Sequence, residues 1–269
     1  MSGSTPERRG VDVVGPRDGQ PVVFVHGAAM TRAMWAPQRR ALAEEYRVVA
    51  PDLPGHGDRA DETFAFEPAL ELLEGVIATE TGATDGGTLL VGLSLGGYLA
   101  TEYARRNPED VDGLVISGSS ANPVGGMNLL TRATGALARL ATRSDGIEGR
   151  VRDFAERWVR SRDLDPEVER EIVESGFYPR QFGVAGPHLA GRDFRAAFAA
   201  YPGPSLVLNG ETDLVMRRGE QDHAAAARTA RVEVLADAGH ICNLHRPEGY
   251  VDALKRFDRR AIAGRTESR

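Results

Sequence analysis

Short unbroken apolar runs alternate along this chain with segments whose apolar residues recur at helical spacing. Pro21 to Val25, Tyr46 to Ala50, Thr88 to Val91, Val111 to Ser117, Ser205 to Gly210 and Arg231 to Leu235 read as buried strands. Helices are predicted between them: Ala33 to Glu45, Phe66 to Thr81 with Leu70, Leu73 and Ile77 on one face, a stretch ending at Arg106 before Asn107-Pro108, and Arg218 to about Ala227. Pro247 opens a last helix through Phe257 toward Ala263. Strands apolar on both faces and separated by helices predict a parallel sheet covered on both sides. Val11 to Val14 adds a short strand, with Asp18-Gly19 as a hairpin turn, and Thr84 to Gly87 is a turn. Met1 to Gly10 reads as a disordered start and Gly264 to Arg269 as a frayed tail.

The rhythm breaks between Ala121 and Tyr201, where only helical patterns and glycine-rich joints occur. Val151, Phe154, Trp158 and Val159 form an apolar stripe, read as packing this segment against the body. Asp165-Pro166 starts a capped helix that Gly176 ends. An insertion this long is expected to be a lid over the carboxyl ends of the strands. The division predicted is a core of residues 11–120 and 202–263 with a helical cap at 121–201.

Composition narrows the classes. With 269 residues, 41% of them hydrophobic, the chain has enough material for one large core. A net charge of −6 argues against nucleic acid or an anionic membrane as main partner. The lone cysteine, Cys242, forms no internal disulfide, and neither a signal peptide nor a membrane-spanning run is evident, so a cytoplasmic location is expected.

The chemistry centres on Gly92-Leu93-Ser94-Leu95-Gly96, set between an apolar strand and a helix. Glycines two residues either side of Ser94 leave room for a sharp turn that exposes its hydroxyl, beside free amides at a helix N-terminus. Taken alone, the pattern also suits a tightly packed turn with no chemistry; a phosphate loop is disfavoured, since no Gly-Lys-Ser/Thr ending follows. A serine nucleophile needs a base and an orienting carboxylate. Asp213 follows the strand ending at Gly210, and His240 follows the strand ending at Leu235, in the order Ser, Asp, His.

At this point the chain resembles the α/β-hydrolase family over nearly its whole length. The resemblance rests on His26-Gly27, Asp52-Leu53-Pro54-Gly55-His56-Gly57, Gly92-Leu93-Ser94-Leu95-Gly96-Gly97, Gly210-Glu211-Thr212-Asp213 and Gly239-His240. It implies a doubly wound, mostly parallel sheet with a helical cap inserted after the sixth core strand. It also implies Ser94 as nucleophile, His240 as general base, Asp213 as orienting acid, and the amides of Ala28 and Leu95 as oxyanion donors. No metal or organic cofactor is implied. The loop His26-Gly27-Ala28-Ala29 departs from the His-Gly-Gly-Gly type, and a serine nucleophile argues against dehalogenase or epoxide-hydrolase chemistry.

Other residues compete for roles. His26 and His56 read as braces, His245 as the head of the final helix, and His188 and His223 as residues of surface or lid helices. Glu211 competes with Asp213, and Arg59 follows the Gly-His-Gly turn where serine is common. Met30 is the candidate pocket residue. The expected function is hydrolysis of a small to medium carboxylic ester or thioester. The rivals are carbon-carbon hydrolysis, lyase or cofactor-free perhydrolase chemistry with the same three residues, and a ligand receptor with vestigial turnover. Oligomeric state is left open.

Overall fold

The computed structural model describes residues 9–81 and 87–266. Its strands are β1 (Val11–Val14), β2 (Gln20–Val25), β3 (Tyr46–Pro51), β4 (Thr88–Leu93), β5 (Val111–Ser117), β6 (Ser205–Gly210) and β7 (Ala230–Leu235). They form one sheet in the order β1-β3-β2-β4-β5-β6-β7. Every pairing is parallel except β1 with β3.

Alternation along the central strands explains the two-sided burial. Val22, Phe24, Val48, Leu89 and Val91 join the apolar layer on one face, and Val23, Val25, Val49 and Leu90 join the layer on the other. Such strands are stable only when helices cover both faces. The covering helices of the core are α1 (Ala36–Leu42), α2 (Phe66–Thr81), α3 (Leu95–Arg106), α9 (Leu214–Ala226), α10 (Cys242–His245) and α11 (Pro247–Thr266). On α2, the predicted face Leu70, Leu73 and Ile77 is buried.

Several expectations need adjustment. Asp18-Gly19 does not close a hairpin: β1 pairs with β3, Val11 facing Pro51, so the chain crosses β3 before β2 begins. The helix expected from Ala33 is a 3-10 turn, Arg32–Trp35, capped by Thr31 and followed by α1. The helix expected from Arg218 begins four residues earlier, because Asp213 caps it by accepting a bond from Met216 N–H. The helical insertion follows the fifth described strand, not the sixth, since β1 alone precedes the buried β2. The expectations for Met1 to Arg8, for residues 82–86 and for residues 267–269 lie outside the described residues.

The insertion consists of α4 (Gly125–Ala141), α5 (Asp145–Arg160), α6 (Pro166–Glu174), α7 (Pro179–Leu189) and α8 (Phe194–Ala200). Helix α6 begins as expected, with Asp165 accepting from the amides of Glu167 and Val168. Helices α4 and α7 touch backbone to backbone: a Cβ placed on Gly186 would lie 3.1 Å from Gly135 Cα. Helix α8 packs on the core, with Phe194 4.5 Å from Tyr98 between ring centres. The anticipated stripe on α5 is not a single buried face. Val159 is fully buried and Trp158 partly so, but Val151 and Phe154 are 41% and 63% exposed. The helix rests on its Trp158–Val159 edge, where the Trp158 ring meets His245.

Candidate active site

Ser94 stands between β4 and α3 with φ 55° and ψ −117°. A positive φ is costly for a residue with a side chain, and it holds only where the surroundings enforce it. Here its N–H donates to Ser117 O at 2.7 Å, while its carbonyl accepts from Gly97 N and Tyr98 N. The flanking glycines are required by space: a Cβ on Gly92 would run into the Gly96 carbonyl, and one on Gly96 into the carbonyls of Val25 and His26. The result is a half-buried serine at the start of a helix, packed against Gly27, where an added Cβ would lie 3.3 Å from Ser94 Cβ.

His240 and Asp213 meet from the loops after β7 and β6. His240 Nδ1 lies 2.6 Å from Asp213 Oδ2, so Nδ1–H donates to the carboxylate and Nε2 is left as the free acceptor. Asp213 is 9% exposed, and its other oxygen caps α9, so one carboxylate fixes both the imidazole and the start of the helix that follows Asp213. Glu211 does not compete: its side chain accepts from Asp237 N–H at 3.0 Å and ties down the turn before His240.

The end of β5 lies between serine and imidazole. Ser117 O holds the Ser94 amide, and a Cβ on Gly118 would sit 2.9 Å from His240 Cε1. Among the described residues no hydrogen bond joins the Ser94 hydroxyl to His240. Gly118 is held in turn by Asn209, whose Oδ1 accepts from Gly118 N–H at 3.0 Å. The Asn209 amide donates to Ser120 Oγ and to Glu220 Oε2, both at 3.1 Å. This buried network carries no motif; its one signal in the sequence is Asn209, a polar residue at the end of an apolar strand, whereas Glu220 sits among polar neighbours and gives none.

Ala28 and Leu95 flank the serine, and among the described residues neither N–H donates to a protein acceptor. Ala29 has φ 67°, and its carbonyl accepts from Tyr178 N–H at 2.9 Å. Thr31 Oγ1 lies 2.7 Å from Ser175 Oγ. The start of α7 and the end of α6 are thus tied to the loop that follows His26-Gly27.

His26 is fully buried; Nδ1–H donates to Gly27 O and Nε2 accepts from Leu53 N–H, each at 2.9 Å. Burial pushes its pKa down to about 4. His56, 4.8 Å away ring to ring, donates to Pro54 O, and burial pushes it down to about 3. Both join loops as neutral rings. Asp52 does similar work, accepting from the amides of Arg32 and Asp58 and pairing with the Arg32 guanidinium. Arg59 pairs with Glu62 at 2.9 Å. His188 is half-buried beside Phe64. His223 is not on a surface: it is 1% exposed, its Nδ1 bonded to Gly219 O and its ring beside Phe198. Burial raises the Cys242 thiol to about 12, which leaves it unreactive near neutral pH.

A cavity of about 390 Å³ opens directly on Ser94, roofed by α4 and α7. Leu95, Tyr98 and Ala28 form its floor, and Met127, Thr131 and Ala185 stand among its walls. Met30 is not one of its lining residues; it is 8% exposed in the core cluster that contains Trp35, after a turn in which its N–H donates to Gly27 O. The lining residues from α4, α7 and α9 escape prediction, since nothing in a helix's periodicity says which loop its outer side faces. A wider crevice of about 870 Å³ lies between α1, the segment before α6 and the start of α11.

The sequence profile of the Alpha/beta hydrolase family matches residues 22–253, from within β2 through β7 and into α11. The chain belongs to the alpha/beta hydrolase family. Among its relatives is a pimeloyl-[acyl-carrier protein] methyl ester esterase of Nitrosospira multiformis, 26% identical, covering 90% of this chain and 95% of that protein. A 3-oxoadipate enol-lactonase of Acinetobacter baylyi is 27% identical over 92% of this chain and 91% of its own. Among solved structures, a thermophilic esterase from Thermogutta terrifontis superposes with a TM-score of 0.74 at 26% identity, covering 93% of each chain. Relatives of this alpha/beta hydrolase are thus named as esterases and lactonases, names that support ester hydrolysis. No helix of the described residues is long and apolar enough to cross a membrane.

Proposed function

We propose that this alpha/beta hydrolase cleaves a small to medium carboxylic ester or thioester through an acyl-enzyme on Ser94. The observation that carries the reading is the 2.6 Å contact between His240 Nδ1 and Asp213, beside a serine whose backbone is held at positive φ on a helix N-terminus. Ser94 Oγ attacks the acyl carbonyl while His240 Nε2 takes its proton. Asp213 keeps the imidazole in the tautomer with Nδ1–H and stabilises the imidazolium that forms. The amides of Leu95 and Ala28 receive the oxyanion, with the N-terminus of α3 adding a favourable field. The imidazolium then protonates the departing alcohol or thiol. A water, deprotonated by His240, hydrolyses the acyl-enzyme and restores the serine.

Ser94 and His240 are not bonded to each other among the described residues; the bond is expected to form as substrate enters, since such contacts tighten in the Michaelis complex. Residues 121–201 serve as the cap in this reading, with α8 as their seat on the core and the Ala29–Tyr178 bond as their tie to the oxyanion loop.

Hydrolysis of p-nitrophenyl butanoate by wild type, Ser94→Ala and His240→Ala tests the reading. Wild type is expected to turn over the ester, and each variant to lose at least about 10³-fold in kcat/KM. Equal rates in wild type and Ser94→Ala would refute it.

A further inference from the structure

We propose that the cavity over Ser94 receives an uncharged, apolar arm of the ester, about eight to ten carbons long, and rejects an arm that ends in a carboxylate. This deepens the esterase reading and rests on it.

Three observations carry the inference. The first is charge. Apart from the Tyr98 phenol, whose pKa burial raises, no ionisable side chain stands among the described residues that line the cavity. A carboxylate drawn inside would lose its water without gaining a cation, a cost that excludes it.

The second is hydrogen bonding. The lining hydroxyls other than Ser94 are already committed: Tyr98 donates to Ala121 O at 2.8 Å, Thr131 to Met127 O at 2.9 Å and Thr134 to Leu130 O at 2.9 Å. Beyond Ser94 itself and the Ala28 and Leu95 amides beside it, no side-chain donor among the described lining residues is left over, so the walls offer a methylene chain dispersion contacts and offer a polar arm no side-chain donor.

The third is shape. At about 30 Å³ for each water-sized group, a volume of about 390 Å³ holds roughly a dozen non-hydrogen atoms. The helices approach closely where α4 crosses α7, since Gly135 and Gly186 both line the cavity and a Cβ on Gly186 would lie 3.1 Å from Gly135 Cα. At the mouth, Leu130, Phe182 and Val215 line the cavity yet remain 53%, 53% and 54% exposed. A chain seated there would cover them, adding apolar burial to every methylene bound.

Two series of esters test this: p-nitrophenyl alkanoates from acetate to dodecanoate, and acetates of alcohols of the same lengths. In at least one series kcat/KM is expected to rise about 4-fold per methylene, peak near eight to ten carbons and then fall. The p-nitrophenyl half ester of octanedioic acid is expected to run at least about tenfold below the octanoate. Thr131→Phe, which fills the cavity, lowers the octanoate-to-butanoate ratio, whereas Thr131→Val, of nearly the same size, keeps it. Thr131→Arg raises the half-ester-to-octanoate ratio. Flat profiles in both series, a half ester as good as the octanoate, or a ratio unmoved by Thr131→Phe would overturn the inference. Fluorophosphonate labelling of Ser94 separates the two claims: a labelled serine with flat profiles defeats only the cavity assignment. No label and no ester turnover defeats the esterase reading with it.

Discussion

Asp213 joins two structures with one carboxylate: Oδ2 lies 2.6 Å from His240 Nδ1, and Oδ1 accepts from the first turn of α9. Removing the charge and removing the cap should therefore separate. Asp213→Asn keeps a capping oxygen and is expected to retain stability within about 1 kcal/mol while losing about 10⁴-fold in kcat, because the amide favours the wrong imidazole tautomer. Asp213→Ala loses the cap as well and should be less stable by about a further 1 kcal/mol. Urea unfolding beside ester kinetics measures both.

Gly118, at φ 57°, leaves no space between β5 and the imidazole. Gly118→Ala would place a methyl 2.9 Å from His240 Cε1, so the ring must move. A displacement on the order of 1 Å costs about 10²-fold in kcat, and fluorophosphonate labelling of Ser94 should slow in parallel. Unchanged labelling and turnover would show that the ring has another place to sit.

Asn209 supports that same glycine through a buried network ending in Glu220, which is 3% exposed. Asn209→Leu strands the Gly118 N–H and removes a donor from a buried carboxylate. A loss of roughly 2 to 4 kcal/mol in unfolding free energy is expected, with kcat falling further than KM changes. Asn209→Asp, which keeps the acceptor for Gly118 but sets two carboxylates together, should be nearly as unstable at neutral pH and recover on mild acidification.

Much of this arrangement is legible in the residues alone. The apolar runs at β2 to β6 can only be strands buried on both faces, and the Gly-x-Ser-x-Gly pattern predicts the positive φ found at Ser94. Edges and starts are less so. β1 carries no signal of which strand it pairs with, and α9 starts at Leu214 because of a cap whose carboxylate reads, in sequence, only as chemistry. Met30 reads as a pocket residue by proximity in sequence, but after the turn at Gly27 it lies in the core. Phe154 reads as buried by spacing, whereas tertiary packing uses only the Trp158–Val159 edge of α5. The cavity walls come from three helices distant in sequence, so no local pattern could assemble them.

His26 and His56 make the fold sensitive to acid. Folded, they stay neutral down to about 4 and about 3; unfolded, each takes a proton near its ordinary value of 6.5. Their contribution is therefore complete above about pH 6.5 and is lost as the pH falls toward 4, since the unfolded chain then binds protons that the folded chain refuses. From His26 alone the loss is on the order of 3 kcal/mol by pH 4. Urea unfolding at pH 7.5, 6 and 5 should show stability declining steadily, and His56→Phe should flatten the slope.

The central claim is that Ser94 is the acylated nucleophile and that His240 activates it. Stoichiometric labelling with a fluorophosphonate, followed by peptide mass mapping, tests this most directly. One adduct per chain on Ser94, with labelling slowed at least about 10²-fold in His240→Ala, is the predicted result. An adduct elsewhere, or labelling of Ser94 at the same rate without His240, would contradict it.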